Sequence, residues 1–402
     1  MTNVPTINNQ PTFYWHLELS SKCALACPRC PRTEKPGQYK VTELSIDLIR
    51  NIFTSDILED TTTIMLCGGQ GDPLYCKDML EIVEYFKDHN PDIELVIVTN
   101  GSYRRKDWWE KLAHILNNQD TVVFSVDGWD NESNNKYRVN SNFDSILTGI
   151  TTLANKNPEI TLRWSTIVFS FNEHHLEKIQ EVATQAGATE FQVVQSSLFG
   201  SKLDHYIDKQ LGYDPLEPGD RDLTVSAYAH SDRGLTIPLR SKPKSKIKKK
   251  QFRQNVAELL DRHIDRFNNT NLLPACLLNE RGLYIDAEGI LYPCSWISHP
   301  FGTRRDDRKV VKWQDSLFVK HKDKFNLHNY SVRDILTSEY WNKLHRSFSD
   351  TEKMFVECAS KCSKQATMAR TKNIVNKIPA KTDTSVLDNL KEYRQQGDQN
   401  AQ

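Results

Sequence analysis

Three thiols crowd one short run, Ser21-Lys22-Cys23-Ala24-Leu25-Ala26-Cys27-Pro28-Arg29-Cys30, with the spacing C-x3-C-x2-C. Thiolates are soft ligands that suit iron–sulfur clusters or zinc. Three of them can hold three corners of a cubane 4Fe–4S cluster and leave the fourth iron open to a reacting ligand. A structural zinc site is the alternative. It is normally closed by a fourth ligand, and the nearest histidine, His16, falls inside an expected strand. A second set lies far downstream. Cys276, Gly289 and Cys294 form C-x12-G-x4-C, and Cys358-x3-Cys362 follows. Four thiols can saturate one further cluster, with four-thiolate zinc as the competing occupant. Cys67 and Cys76 belong to neither set. Burial as a free thiol is the ordinary state of such residues. Cys67, at a strand mouth, is also a candidate hydrogen-atom donor or substrate ligand.

The elements that must position these groups alternate in type. Strand patterns run over Phe13–Leu19, Thr62–Cys67, Glu94–Val98, Thr121–Val126, Thr161–Val168 and Phe191–Val194. Helical periodicity runs over Ile46–Phe53, Lys77–Asp88, Lys106–Leu116, Phe143–Ala154 and Glu173–Ala186. Such alternation implies βαβ units and a parallel sheet in an α/β fold. Six units suggest a partial (βα)6 TIM-type barrel rather than a closed eight-fold one. In these folds function gathers on loops at the C-terminal ends of strands. The cysteine loop follows strand one, Cys67-Gly68-Gly69-Gln70-Gly71-Asp72-Pro73 follows strand two, and Thr99-Asn100-Gly101 follows strand three. Ser125-Val126-Asp127-Gly128 ends strand four.

The 402 residues suffice for two domains, and Lys+Arg balance Asp+Glu at 52 each, so bulk charge points to neither nucleic acid nor membrane. No apolar run reaches the length of a membrane span, and a membrane partner is not expected. Nine cysteines without a secretion signal read as metal or redox chemistry in a reducing, cytoplasmic setting. The expected organisation is an N-terminal tail (1–12), the partial barrel (13–200) and a linker (201–270). A small α+β domain (271–370) and a polar, frayed tail (371–402) follow. The linker contains eight basic residues between Arg240 and Arg253, which read as a solvated face or as a patch for nucleic acid or an acidic leader peptide. In the small domain, Gly282–Asp286 and Ile290–Cys294 form an expected hairpin with Gly289 in its turn, and Val332–Phe348 reads as helical.

C-x3-C-x2-C after the first strand of a six-unit βα barrel resembles the radical S-adenosylmethionine (SAM) superfamily, over roughly residues 13–200. The resemblance implies an enzyme with a 4Fe–4S cluster whose open iron chelates SAM. Reductive cleavage then gives a 5′-deoxyadenosyl radical that abstracts hydrogen from a substrate. It implies that Gln70-Gly71-Asp72-Pro73, similar to a Gly-Gly-Glu-Pro segment, holds the methionyl ammonium, with closest approach at Gly71. Ser125 and Asp127, two apart on one strand and so on one face, resemble the segment that approaches the SAM ribose and carboxylate. An ordinary Asp-Gly turn is the alternative there. Arg163 is placed to pair with the SAM carboxylate, a strand-end ion pair being the other reading. Asn172 reads as a helix N-cap. One departure is Arg29, which stands where relatives carry an aromatic residue near adenine. A guanidinium can also stack on a purine.

The downstream cysteines resemble the opening of a SPASM or twitch extension. A C-x2-C pair and a later cysteine of full SPASM regions are missing, so the twitch version, with one auxiliary 4Fe–4S cluster, fits better. Cys362 matches a ligand of that family; Cys358 as the fourth ligand rests on thiol count. The resemblance further implies a reductant such as flavodoxin or ferredoxin and a peptide or protein substrate. RNA or a small metabolite stays open, with Lys248–Lys250 as the local hint toward RNA. The competing class is a non-catalytic iron–sulfur or zinc protein serving electron transfer or binding, which needs no SAM pocket.

Overall fold

Six strands carry apolar residues at every second position. They are β1 (Tyr14–Leu17), β2 (Thr63–Leu66), β3 (Glu94–Thr99), β4 (Thr121–Ser125), β5 (Thr161–Val168) and β6 (Glu190–Gln195). The computed structural model describes residues 14–34, 37, 39–69, 71–195, 283–298, 317–347 and 355, with short strands at 6–7, 10–11 and 373–377. Gln70, Cys276, Cys358, Cys362 and the basic run 240–253 lie outside the described residues. The six strands pair in parallel and in chain order. One face of each is fully packed, as in Trp15 and Leu17, Ile64 and Leu66, Leu95 and Ile97, and Val122 and Phe124. The alternate face brings Val98 and Ser125 to a cavity at the C-terminal ends of the strands.

Between the strands run α1 (Ile46–Ile52), α2 (Ser55–Asp60), α3 (Met79–His89), α4 (Lys106–Ile115), α5 (Asn131–Asn135), α6 (Phe143–Lys156) and α7 (Leu176–Gln185). Their apolar stripes, such as Ile82, Val83 and Phe86 of α3, join the strand residues in one core. Side-chain oxygens start several of them. Ser45 caps α1 at Leu48 N, Asn142 caps α6 at Ser145 N, and Asp130 with Ser133 forms a capping box on α5. The α/β class and the parallel sheet thus agree with the sequence pattern.

Three features differ from a reading of local pattern. The hairpin β7 (Leu283–Ile285) and β8 (Leu291–Tyr292) extends the main sheet, because β7 pairs in parallel with β1, Trp15 opposite Leu283 and Leu17 opposite Ile285. Its turn holds Gly289 at φ +77°, as the sequence requires. In the expected frayed tail, β9 (Asn373–Lys377) pairs antiparallel with β6, giving that exposed edge a hydrogen-bonding partner. The expected helix over 332–348 is two helices, α8 (Val332–Thr337) and α9 (Glu339–Ser347). Ser338 turns extended between them, and its hydroxyl accepts the Trp341 N–H at 3.2 Å, capping the second. The nine-stranded order is β8-β7-β1-β2-β3-β4-β5-β6-β9. Among the described residues no helix is long and apolar enough to cross a membrane.

Candidate functional site

The loop after β1 folds back on itself and on its neighbours. Cys30 N–H bonds to the Cys27 carbonyl at 3.1 Å, Ala26 N–H to Val139 O at 3.0 Å, and the Arg32 guanidinium to Leu25 O at 3.0 Å. Arg29 sits at φ +68°, a left-handed turn position, and is buried. It does not line the cavity. Cys23, Cys27 and Cys30 all line one cavity of about 160 Å³, together with Cys67, Gly69, Gly71, Asp72, Asn100, Ser125 and Arg138. Leu25, Tyr137 and Phe169 pack around Cys27, with Ile167 and Phe171 at the margin.

Asp72 is the hub of the cavity wall. Its carboxylate accepts the Thr99 hydroxyl at 2.9 Å, the Asn100 backbone N–H at 2.7 Å and the Asn100 side-chain amide at 2.6 Å. It also caps the tight turn Pro73–Tyr75 through Leu74 N–H at 3.0 Å. Burial pushes its carboxyl above the ordinary range, and the Asn100, Leu74 and Thr99 donors oppose that rise. The Asn100 amide nitrogen also lies 3.6 Å from Cys23 Sγ, close enough to donate to a sulfur.

The glycine turn packs against the chain that carries the cysteines. A Cβ on Gly71 would lie 2.0 Å from Ser20 O, and the Gly71 N–H is bonded to the Glu18 carboxylate at 2.8 Å. Gly71 is therefore a glycine because the cysteine-bearing chain passes against it. Asp127 is fully buried and does not line the cavity; Arg138 Nε bonds to Asp127 Oδ2 at 2.6 Å and Ile167 N–H to Asp127 Oδ1 at 2.7 Å. Two guanidinium groups line the cavity, Arg32 and Arg138. Arg163 pairs with Glu190 at 2.6 Å in the lower part of the sheet and lies apart from the cavity. Asn172 stands at the N-cap position of the short turn Glu173–His175, but its side chain makes no capping bond there. Its amide donates to Asp127 O and Ile167 O and accepts from Phe169 N–H, latching the end of β5 to that of β4. Cys294 is buried beside the hairpin.

Thr99, Asn100, Tyr137, Arg138 and Glu18 are site residues that motif reading did not assign. Thr99-Asn100 at a strand end and Glu18 inside an apolar strand were available signals. Nothing local marks Arg138.

The donor set fits a multi-iron cluster. Tetrahedral bonds of about 2.3 Å bring thiolates to about 4 Å from one another around a single ion. Among the described residues no three His, Cys, Asp or Glu side chains converge in that way. Three sulfurs that share a cavity wall without converging suit a cluster, in which each thiolate takes its own iron. Burial pushes the Cys23 thiol up to about 11 and the Cys27 thiol up to about 12, with Asp72 adding to the first and Arg138 opposing the second. Such thiols deprotonate when a metal centre supplies the compensating charge.

Residues 17–183 match the family model of the radical SAM superfamily. A GTP 3′,8-cyclase of Campylobacter jejuni subsp. doylei is 25% identical over 171 residues, 42% of this chain and 52% of the relative. One of Campylobacter curvus is 33% identical over 89 residues, 22% of this chain and 27% of the relative. The chain therefore spans about half, or less, of the length of these curated relatives. Among solved structures, native anSMEcpe with bound AdoMet is 14% identical with a TM-score of 0.42, covering 82% of this chain and 82% of that one. The strand-end cavity, the three thiols that line it and the family match agree: the chain carries a radical SAM superfamily domain, a family of enzymes that use a 4Fe–4S cluster and SAM.

Proposed function

We propose that the protein binds SAM at a 4Fe–4S cluster held by Cys23, Cys27 and Cys30 and uses it for radical chemistry on a substrate. One observation carries this reading: three thiols, a buried carboxylate hub and a guanidinium share one cavity at the C-terminal ends of β1 to β4. When bound, the cluster and SAM supply reductive cleavage of the sulfonium and a 5′-deoxyadenosyl radical for hydrogen abstraction. The chain's own residues hold and shield that chemistry. Asp72 fixes Asn100, whose amide favours thiolate over thiol at Cys23. Arg138 offers a cation both to Cys27 and to a carboxylate entering the cavity. The Ser125 hydroxyl and the backbone of Gly69 and Gly71 supply further polar partners. Leu25, Tyr137 and Phe169 exclude water from the thiols. In this assignment Asp127 acts through Arg138, Arg163 stays with Glu190, and Gln70 keeps the role implied by its motif.

The auxiliary cluster belongs to the same proposal, with Cys276, Cys294, Cys358 and Cys362 as ligands in a twitch-like region. A flavodoxin or ferredoxin of a reducing, cytoplasmic compartment would supply the electron. For the substrate, a peptide or protein follows from the likeness to SPASM and twitch enzymes. A purine nucleotide is the second reading, supported by the name of the curated relatives.

Anaerobically reconstituted protein, reduced with dithionite in the presence of SAM, is expected to release 5′-deoxyadenosine, and Cys27→Ala to abolish it. Stoichiometric zinc with no iron would overturn the assignment. Deuterium transfer into 5′-deoxyadenosine from a labelled peptide or from labelled GTP distinguishes the substrate readings.

A further inference from the structure

The hairpin places none of its described residues in the cavity lining, yet it reaches the cavity through one carboxylate. Glu18, directly after β1, is fully buried. Its Oε1 accepts the Gly71 N–H at 2.8 Å, and its Oε2 accepts the Tyr284 hydroxyl from β7. Gly68 packs against the same carboxylate, since a Cβ there would lie 2.9 Å from Oε1. His16 supports the arrangement from the other side. Its ring packs edge-on against Tyr284 at 4.8 Å between centroids, and its Nε2 lies 2.7 Å from the Cys67 carbonyl. At the far end of the loop, Asp72 N–H is bonded to Lys22 O at 3.0 Å.

Burying a carboxylate is costly unless its oxygens are satisfied. The β1 segment needs no acid to fold, because Trp15, Leu17 and Leu19 supply its core contacts. What the acid does here is join two elements that the sheet alone leaves independent: a loop that lines the cavity and a strand more than two hundred residues later. We infer that Glu18 is a positioning residue, held in place by Tyr284, which sets the backbone at Gly68 and Gly71 in the form that accepts SAM. The hairpin thereby belongs to the SAM site while touching no ligand. This inference rests on the SAM-binding reading above.

The test uses the full chain with Tyr284→Phe, Glu18→Ala and Glu18→Gln. Glutamine keeps both bonds, its carbonyl accepting from Gly71 N–H and its amide donating to the Tyr284 oxygen. Three readouts are compared: SAM affinity of the reconstituted protein by equilibrium dialysis, iron content, and amide hydrogen exchange across 67–72 in the cofactor-free protein. Tyr284→Phe and Glu18→Ala are expected to weaken SAM binding by about tenfold, the effect of leaving a buried hydrogen-bonding group unpaired. They should also speed exchange in the loop while iron content holds, and Glu18→Gln should stay within about twofold of the parent. SAM affinity and loop exchange unchanged in Tyr284→Phe would overturn the inference. So would loss of iron or of the fold in that variant, because the hairpin would then be a structural edge alone. Damage in Glu18→Gln equal to that in Glu18→Ala would do the same. A parent protein that takes up iron but binds no SAM would refute the proposed function instead, and loop exchange in Tyr284→Phe would still decide whether the pair holds the loop.

Discussion

Strand β4 has a buried aspartate ion-paired beyond each of its ends, and the two pairs differ in what surrounds them. Asp120, just before the strand, meets Lys87 of α3 at 2.6 Å. Its remaining capacity is taken by Leu95 N–H and Asn117 N–H, while Lys87 also donates to Ile93 O. That pair is closed on all sides. Asp127, just after the strand, meets Arg138 at the same 2.6 Å and also takes Ile167 N–H. Arg138, however, stands on the cavity wall, and its charge acts on Cys27. Chemistry and distance match, so a buried ion pair alone does not mark a site. The difference is the end of the strand. N-terminal ends are sealed by helix C-termini and loops, whereas C-terminal ends splay their loops around an opening.

The strongest way to separate the two ends is to remove a thiol. Cys27→Ala is expected to remove the iron and sulfide of the cavity cluster, leaving about half the parent's content after reconstitution with the auxiliary cluster in place, whereas Lys87→Met should leave the folded fraction with the parent's content. Iron analysis of both variants checks this, and an iron-replete Cys27→Ala protein would break the assignment of the cavity end. Next come the pairs themselves. Lys87→Met and Arg138→Met each leave a buried carboxylate without its cation and should each lose about 3–5 kcal/mol of stability, read from denaturant midpoints. Only Arg138→Met should also weaken SAM binding in the protein that remains folded. Equal SAM affinity in the two variants would erase the functional distinction between the ends.

Asp286 in the hairpin turn sharpens the comparison with a buried acid satisfied by backbone. Its carboxylate accepts Ile290 N–H at 2.9 Å and Glu288 N–H at 3.0 Å. Burial raises its carboxyl from 3.8 to about 6, and the Ile290 N–H opposes the rise. The folded protein therefore holds this proton more tightly than the unfolded chain. The stabilisation is complete below pH 3.8 and is lost as pH rises through about 6, an effect of up to about 3 kcal/mol. Urea midpoints measured across that window should fall with rising pH, and Asp286→Asn should flatten the fall. The smallest effect is expected at Asn100→Ala, which removes one donor from Asp72 and the contact to Cys23, for about 1–2 kcal/mol and a faster loss of cluster under chelator. An unchanged rate of cluster loss would show that Asn100 serves Asp72 alone.

Much of the fold was legible because its signals are local. Period-two apolar alternation located all six parallel strands, and Gly289 marked its own turn. The thiol triad was legible for the same reason, since three ligands on one loop need no distant partner to be recognised. The site's polar half was less so. The aspartates of both motifs were noticed, but Asp72 holds Thr99 and Asn100, and Asp127 holds Arg138, commitments made across 27, 28 and 11 residues. Arg163 looked available on its strand until Glu190, 27 residues later, was brought beside it.

By itself the sequence determined the strand periodicity, the βα order and the run of three thiols, because each depends on neighbours within one or two turns of chain. Tertiary structure alone decided which carboxylates are closed into ion pairs, that Arg138 reaches the cavity wall, and that Gly71 leaves room for the Ser20 backbone. It also decided that Tyr284, remote in sequence, holds the carboxylate that holds the loop. Burial and hydrogen-bond partnership set those roles, and both are properties of the packed chain rather than of any residue in it.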